Sequence, residues 1–106
     1  MASSVGSDRL QRPIQASWLY KHIAALSTGA SIKATPGTLH TITINTKGAT
    51  SNLLTVYDGT STAGTVIAAV DTTVTYGTLT FDVDFTVGLF YVLAAGTAAD
   101  ITVAYV

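Results

Sequence analysis

The chain has 106 residues, no cysteine, two prolines, nine glycines, 10% charged residues and a formal charge of −1. That length suits one domain with a single hydrophobic core. The missing cysteine excludes a disulfide framework or a Cys-based zinc site, and the near-neutral charge excludes a globally basic nucleic-acid binder.

The finer composition points to β structure. There are 19 threonines and no glutamate; every acid is an aspartate. Thr is β-branched and favours strands, Asp favours turns, and Glu is among the better helix formers. Hydrophobic residues make up 48% of the chain, high for a small soluble monomer; Ala and Val account for much of it, and an assembly contact would also explain it. The longest mainly apolar stretch, residues 87–95, is far short of the ~20 residues of a membrane helix. The first residues, MASSVGSDRLQRP, lack the apolar centre of a secretory signal.

In chain order, residues 1–17 read as a polar N-terminal arm, with Pro13 discouraging regular structure around it. Such an arm is either a disordered terminus or a segment ordered against a neighbouring subunit. Residues 18–106 read as the folded domain. The run WLYKHIAAL (18–26) fits two patterns. Leu19, Ile23 and Leu26 make a helical stripe, whereas Trp18, Tyr20 and His22 alternate against Leu19, Lys21 and Ile23 as in a strand. The β character of everything downstream favours the strand.

Ser27-Thr28-Gly29 reads as a turn, residues 30–35 as a short strand, and Pro36-Gly37 as a type II turn. Residues 38–46 alternate, with His40, Ile42 and Ile44 on one face and Thr41, Thr43 and Asn45 on the other. Residues 47–52 are loop, 53–57 strand, 60–64 a small-residue loop, 66–70 strand, and 71–77 a connection. Leu79, Phe81, Val83 and Phe85 then alternate with Thr80, Asp82 and Asp84. Residues 89–94 are nearly all apolar, as in a strand buried on both faces or lying at a subunit contact. Ile101, Val103 and Tyr105 alternate to the end. Seven or eight strands separated by turn signals predict an all-β, antiparallel β-sandwich, and an eight-strand jelly roll fits the count.

Charge is segregated. Residues 1–47 hold five bases (Arg9, Arg12, Lys21, Lys33, Lys47) and one acid, net +4; the remainder holds five aspartates and no base, net −5. The asymmetry is either chance at this low charge density or a means for copies, or an acidic partner, to attract the arm.

No constellation points to chemistry. His22 and His40 are 18 residues apart, without the third ligand that a catalytic zinc site needs; His40 reads as a satisfied core or interface residue. Asp82 and Asp84 project from one strand face and read as a solvated surface, since calcium takes six to eight oxygens from several segments. There is no GxSxG elbow and no Gly-rich phosphate loop. The strand-borne aromatics lack the interleaved Lys or Arg of a nucleic-acid platform. The expectation is a non-enzyme without cofactor or metal.

Residues 35–106 carry a recurrent set of elements: Gly37-x-Leu39-His40 opening a strand, Val56-Tyr57-Asp58-Gly59 closing one, Gly64-Thr65-x-Ile67-Ala68, Phe85-x-x-Gly88-Leu89, and Ala99-Asp100-Ile101-Thr102-Val103. Together they resemble a run common in small virion structural proteins of tailed bacteriophages, over about two thirds of the chain. The resemblance implies a jelly-roll-like module of the head decoration (cement) type. Such a protein is a homotrimer on the capsid surface, bound to the major capsid protein and stabilising the head, with neither nucleic acid nor membrane as partner. On that reading Arg9, Arg12 and Trp18 contact the shell or a neighbouring copy. Two other readings stay open: a tail, fibre or head–tail joining component, and a carbohydrate-binding module using the aromatics Trp18, Tyr20 and Tyr76.

Overall fold

The computed structural model describes residues 17–106, which form eight strands and no helix. They are β1 (Leu19–Ile23), β2 (Ser27–Lys33), β3 (Gly37–Thr46), β4 (Leu53–Asp58), β5 (Thr65–Asp71), β6 (Gly77–Phe85), β7 (Leu89–Ala94) and β8 (Asp100–Tyr105). The arm assigned to residues 1–17 lies, except for Ser17, outside the described residues.

Two four-stranded sheets result, in the orders β1-β8-β3-β6 and β2-β7-β4-β5, and every neighbouring pair is antiparallel. The pairing is nested: first with last, second with seventh, third with sixth, fourth with fifth. Every connection except β4–β5 passes from one sheet to the other. This is a long hairpin wrapped into a double sheet, the jelly-roll form of the β-sandwich.

Each strand turns one side chain in two towards the other sheet. Leu39, Ile42, Ile44, Ile101 and Val103 from the first sheet meet Leu54, Val56, Val70, Leu89 and Leu93 from the second, all buried. Each fully buried aliphatic side chain contributes roughly 1.5–3 kcal/mol, so this layer supplies most of the cohesion. Tyr91 and Phe85 close the same core.

Two polar devices hold the ends. Asn52 is fully buried in the β3–β4 loop. Its Oδ1 accepts from Thr72 Oγ1 (2.6 Å) and the Ala99 amide (3.1 Å), and its Nδ2 donates to the Ala95 carbonyl (2.8 Å). Three connections are thereby tied at one point. Gly48 has to be glycine because a Cβ there would strike both Asn52 and Thr72. At the other end, Asp58 accepts from the amides of Thr86 and Val87 (both 2.9 Å), fastening the β6–β7 turn to the end of β4.

Several local expectations shift. Ser27-Thr28-Gly29 is not a turn but the start of β2, where Gly29 takes φ +150° and its missing Cβ makes room for the Phe90 ring. Gly37 does not adopt the positive φ of a type II turn; a Cβ there would collide with the Val106 carbonyl, so the residue is required for close approach. Val83 is 37% exposed and lies outside the core, while Leu79, Phe81 and Phe85 pack against it.

Candidate functional site

The sandwich has two outer faces of opposite character. On the first sheet, the alternation of β1 turns Trp18, Tyr20 and His22 outward, beside Asp100 and Thr102 of β8, Thr38, Thr43 and Asn45 of β3, and Thr78, Asp82 and Asp84 of β6. Hydrogen bonds run across the strands. His22 Nε2 meets Asp100 Oδ1 at 2.9 Å, and Asn45 Nδ2 donates to the same oxygen and to Thr102 Oγ1, both at 3.0 Å. Thr43 and Thr78 hydroxyls pair at 3.0 Å, and Thr38 Oγ1 donates to Asp84 Oδ1 at 2.7 Å. The Asn45 amide, aided by His22, holds the Asp100 carboxyl below its ordinary pKa.

His40 belongs to this face, not to the side of Ile42 and Ile44. Between the pairs Leu39–Tyr105 and Thr41–Ala104, His40 has no counterpart on β8. Between Leu39–Val83 and Thr41–Thr80 it faces two residues of β6, Phe81 and Asp82. These bulges shift the alternation, so the buried residues Leu39 and Ile42 are three apart. Asp82 takes φ +49° there, a left-handed conformation that Asp tolerates better than most residues, and its carboxylate bonds His40 Nδ1. His40 is therefore a satisfied surface residue, only partly shielded, and the expectation of a core position is corrected.

Trp18 lies over His40. The two rings are parallel within 8°, with centroids 4.2 Å apart, and Trp18 remains 43% exposed. Of the three residues assigned to partner contact, Trp18 is thus anchored on the sheet, while Arg9 and Arg12 lie outside the described residues. The Trp18–His40–Asp82 stack was missed in the sequence because it joins three strands through two bulges.

The second sheet's outer face is apolar. With Leu54, Val56, Leu89, Tyr91 and Leu93 buried, the residues turned outward on β4 and β7 are Leu53, Thr55, Tyr57, Phe90, Val92 and Ala94. In register Leu53 faces Ala94, Thr55 faces Val92, and Tyr57 faces Phe90. Tyr57 and Phe90 meet edge to face at 6.2 Å, and Val66, 53% exposed, flanks Tyr57 across β5. These seven positions hold no charge; Asp71, paired with Leu53 on the edge strand β5, puts one carboxylate at the border of the patch. At the edge, Leu26, Thr28, Val92 and Ala94 border an apolar groove of about 400 Å³. Residues 89–94 thus have one face in the core and the other on this patch, so the run is not buried on both faces within one chain.

Compared with protein-family models, the chain finds no match, and compared with curated proteins it likewise finds none.

Proposed function

We propose that the protein is a non-enzymatic virion structural protein, a capsid decoration protein that binds the major capsid protein shell and self-associates as a homotrimer on its surface. The observation that carries this reading is the apolar outer face of the second sheet, whose one charge, Asp71, lies on the edge strand β5. A contiguous apolar patch on a rigid sandwich is suited to a protein–protein contact, because water contact there is costly. A neighbouring copy is its occupant, since two such faces can meet over the apolar centre while Asp71 stays at the rim in water. The resemblance of residues 35–106 to phage virion proteins supplies the setting. Arg9 and Arg12 add positive charge for an acidic neighbour, and many copies on one shell turn a weak contact into firm attachment.

Cryo-electron microscopy of the particle encoded with this gene tests the reading. Density for the jelly roll around local three-fold positions of the shell, with second-sheet faces turned towards neighbouring copies, is the expected result. Density confined to the unique vertex would make the protein a tail or joining component instead, and density nowhere on the particle would overturn the structural role.

A further inference from the structure

We propose that the outer face of the first sheet carries a binding site for a neutral saccharide, built from Trp18, Tyr20, Asp82 and Asp84 with His40 as its support. This goes beyond the decoration role and does not depend on it.

The stack on His40 fixes the Trp18 ring before any ligand arrives, and His40 is itself fixed by Asp82. One ring face is thereby occupied while the residue stays 43% exposed, so an ordered aromatic surface remains at little further entropic cost. Tyr20 follows two positions along β1, about 7 Å away, and is 73% exposed. Asp82 and Asp84 stand two positions apart on β6. Each commits one carboxylate oxygen, to His40 and to Thr38, and leaves the other without a hydrogen-bond partner among the described residues. Asp84 also borders an open cleft with Pro36, Thr38 and Thr86. A pyranose presents the matching surface: a C–H face for the aromatic rings and hydroxyl donors for ionised acceptors, whose hydrogen bonds are the stronger kind.

The charge pattern narrows the class. Asp82, Asp84 and Asp100 crowd this face; Lys21 of β1 alternates to the other side with Val103, and the Lys33 ammonium sits near Gly37, at the end of the cleft that Asp84 borders. Sialylated or uronate sugars, phosphates and nucleic acids are repelled. A quaternary ammonium ion is better held by several aromatic walls, and here Trp18 has one ring face already taken.

Trp18 is the sole tryptophan, so its emission reports on the site directly. The full chain is titrated with neutral hexasaccharides of glucose, N-acetylglucosamine, mannose and galactose, with sialyllactose and spermidine as charge controls. Fluorescence and saturation-transfer NMR are the readouts. The expected result is saturable binding of at least one neutral sugar with Kd on the order of 0.1–1 mM, weakened at least tenfold by Trp18→Ala and severalfold by Asp84→Asn. If Trp18→Ala fails to fold, Tyr20→Ala at its exposed position takes its place, with the same direction expected. No saturable signal from any neutral sugar up to about 10 mM, preference for sialyllactose or spermidine, or binding unchanged in these variants would overturn the proposal.

Discussion

The two outer faces are built on the same scaffold and differ in almost everything else. Both present alternate residues of four antiparallel strands, and both rest on the same core. The first face pairs many of its polar groups across strands, from His22–Asp100 to Thr38–Asp84, and carries its charge as Asp82, Asp84 and Asp100. The second leaves Leu53 and Val66 exposed and Val92 half-exposed, with one charge, Asp71, at its edge strand. A sandwich needs only its inner faces to fold, so the outer faces are free to diverge, and here one is suited to water and the other to a neighbour.

The largest effect is expected where both faces share a support. Asn52→Ala removes the partners of the Ala99 amide and the Ala95 carbonyl at a fully buried point and the shorter of the two acceptors of Thr72, whose hydroxyl keeps the residue 52 carbonyl. Leaving such groups unsatisfied costs about 1–3 kcal/mol each, so urea denaturation should show a loss of about 3 kcal/mol or more. A loss below about 1 kcal/mol would mean that water replaces the amide without difficulty.

Breaking the apolar face comes next. Val92→Asp places a charge at the centre of the patch, and light scattering should show the oligomer dissociating at least tenfold more readily while the circular dichroism spectrum is kept. Thr43→Asp, the matching change on the polar face, should leave the oligomer intact. Equal effects from the two would erase the distinction between the faces.

A smaller effect is expected from His40→Ala, which removes the support of Trp18. The stacked pair is worth about 1 kcal/mol; the tryptophan emission should shift to the red and the thermal midpoint fall by a few degrees. An unchanged spectrum would show that Trp18 holds its position alone.

The smallest is an acid response that separates the faces. Hydrogen bonds from the Thr86 amide hold the Asp58 carboxyl below its ordinary pKa, those from Thr73 do so for Asp71, and those from Asn45 for Asp100. A carboxyl lowered by folding adds stability that is complete above its unfolded pKa of about 3.9 and lost as pH falls through the lower folded value. Stability should therefore decline below about pH 4, with Asp58→Asn flattening the decline, whereas self-association through the apolar face, where acid removes the Asp71 charge, should be no weaker in acid.

Much of this was legible in the chain because it is local. The Thr-rich composition and period-2 patterns place β4, β5, β7 and β8 within a residue or two, and the inward-facing Leu54, Val56, Ile101 and Val103 follow from alternation alone. Where alternation misled at His40, a bulge had shifted the phase; Val83 keeps its phase opposite Leu39 and is exposed on the edge strand β6. A bulge is a property of two strands in register, and neither strand announces it by itself. The Ser-Thr-Gly of residues 27–29 misled for a related reason: its glycine serves the Phe90 ring from β7, far along the chain, and not a local turn.

By itself, then, the sequence determined the all-β class, the number of strands and most of the core, because side-chain direction in a strand depends only on position along it. It also set a hydrophobic content of 48%, to which Ala and Val contribute much. Only the tertiary structure decided where the apolar residues outside the core lie, since the outer faces exist only once β4 and β7 pair in register. The stack of Trp18 on His40 above Asp82 was decided the same way, by long-range pairing and the bulges that pairing imposes.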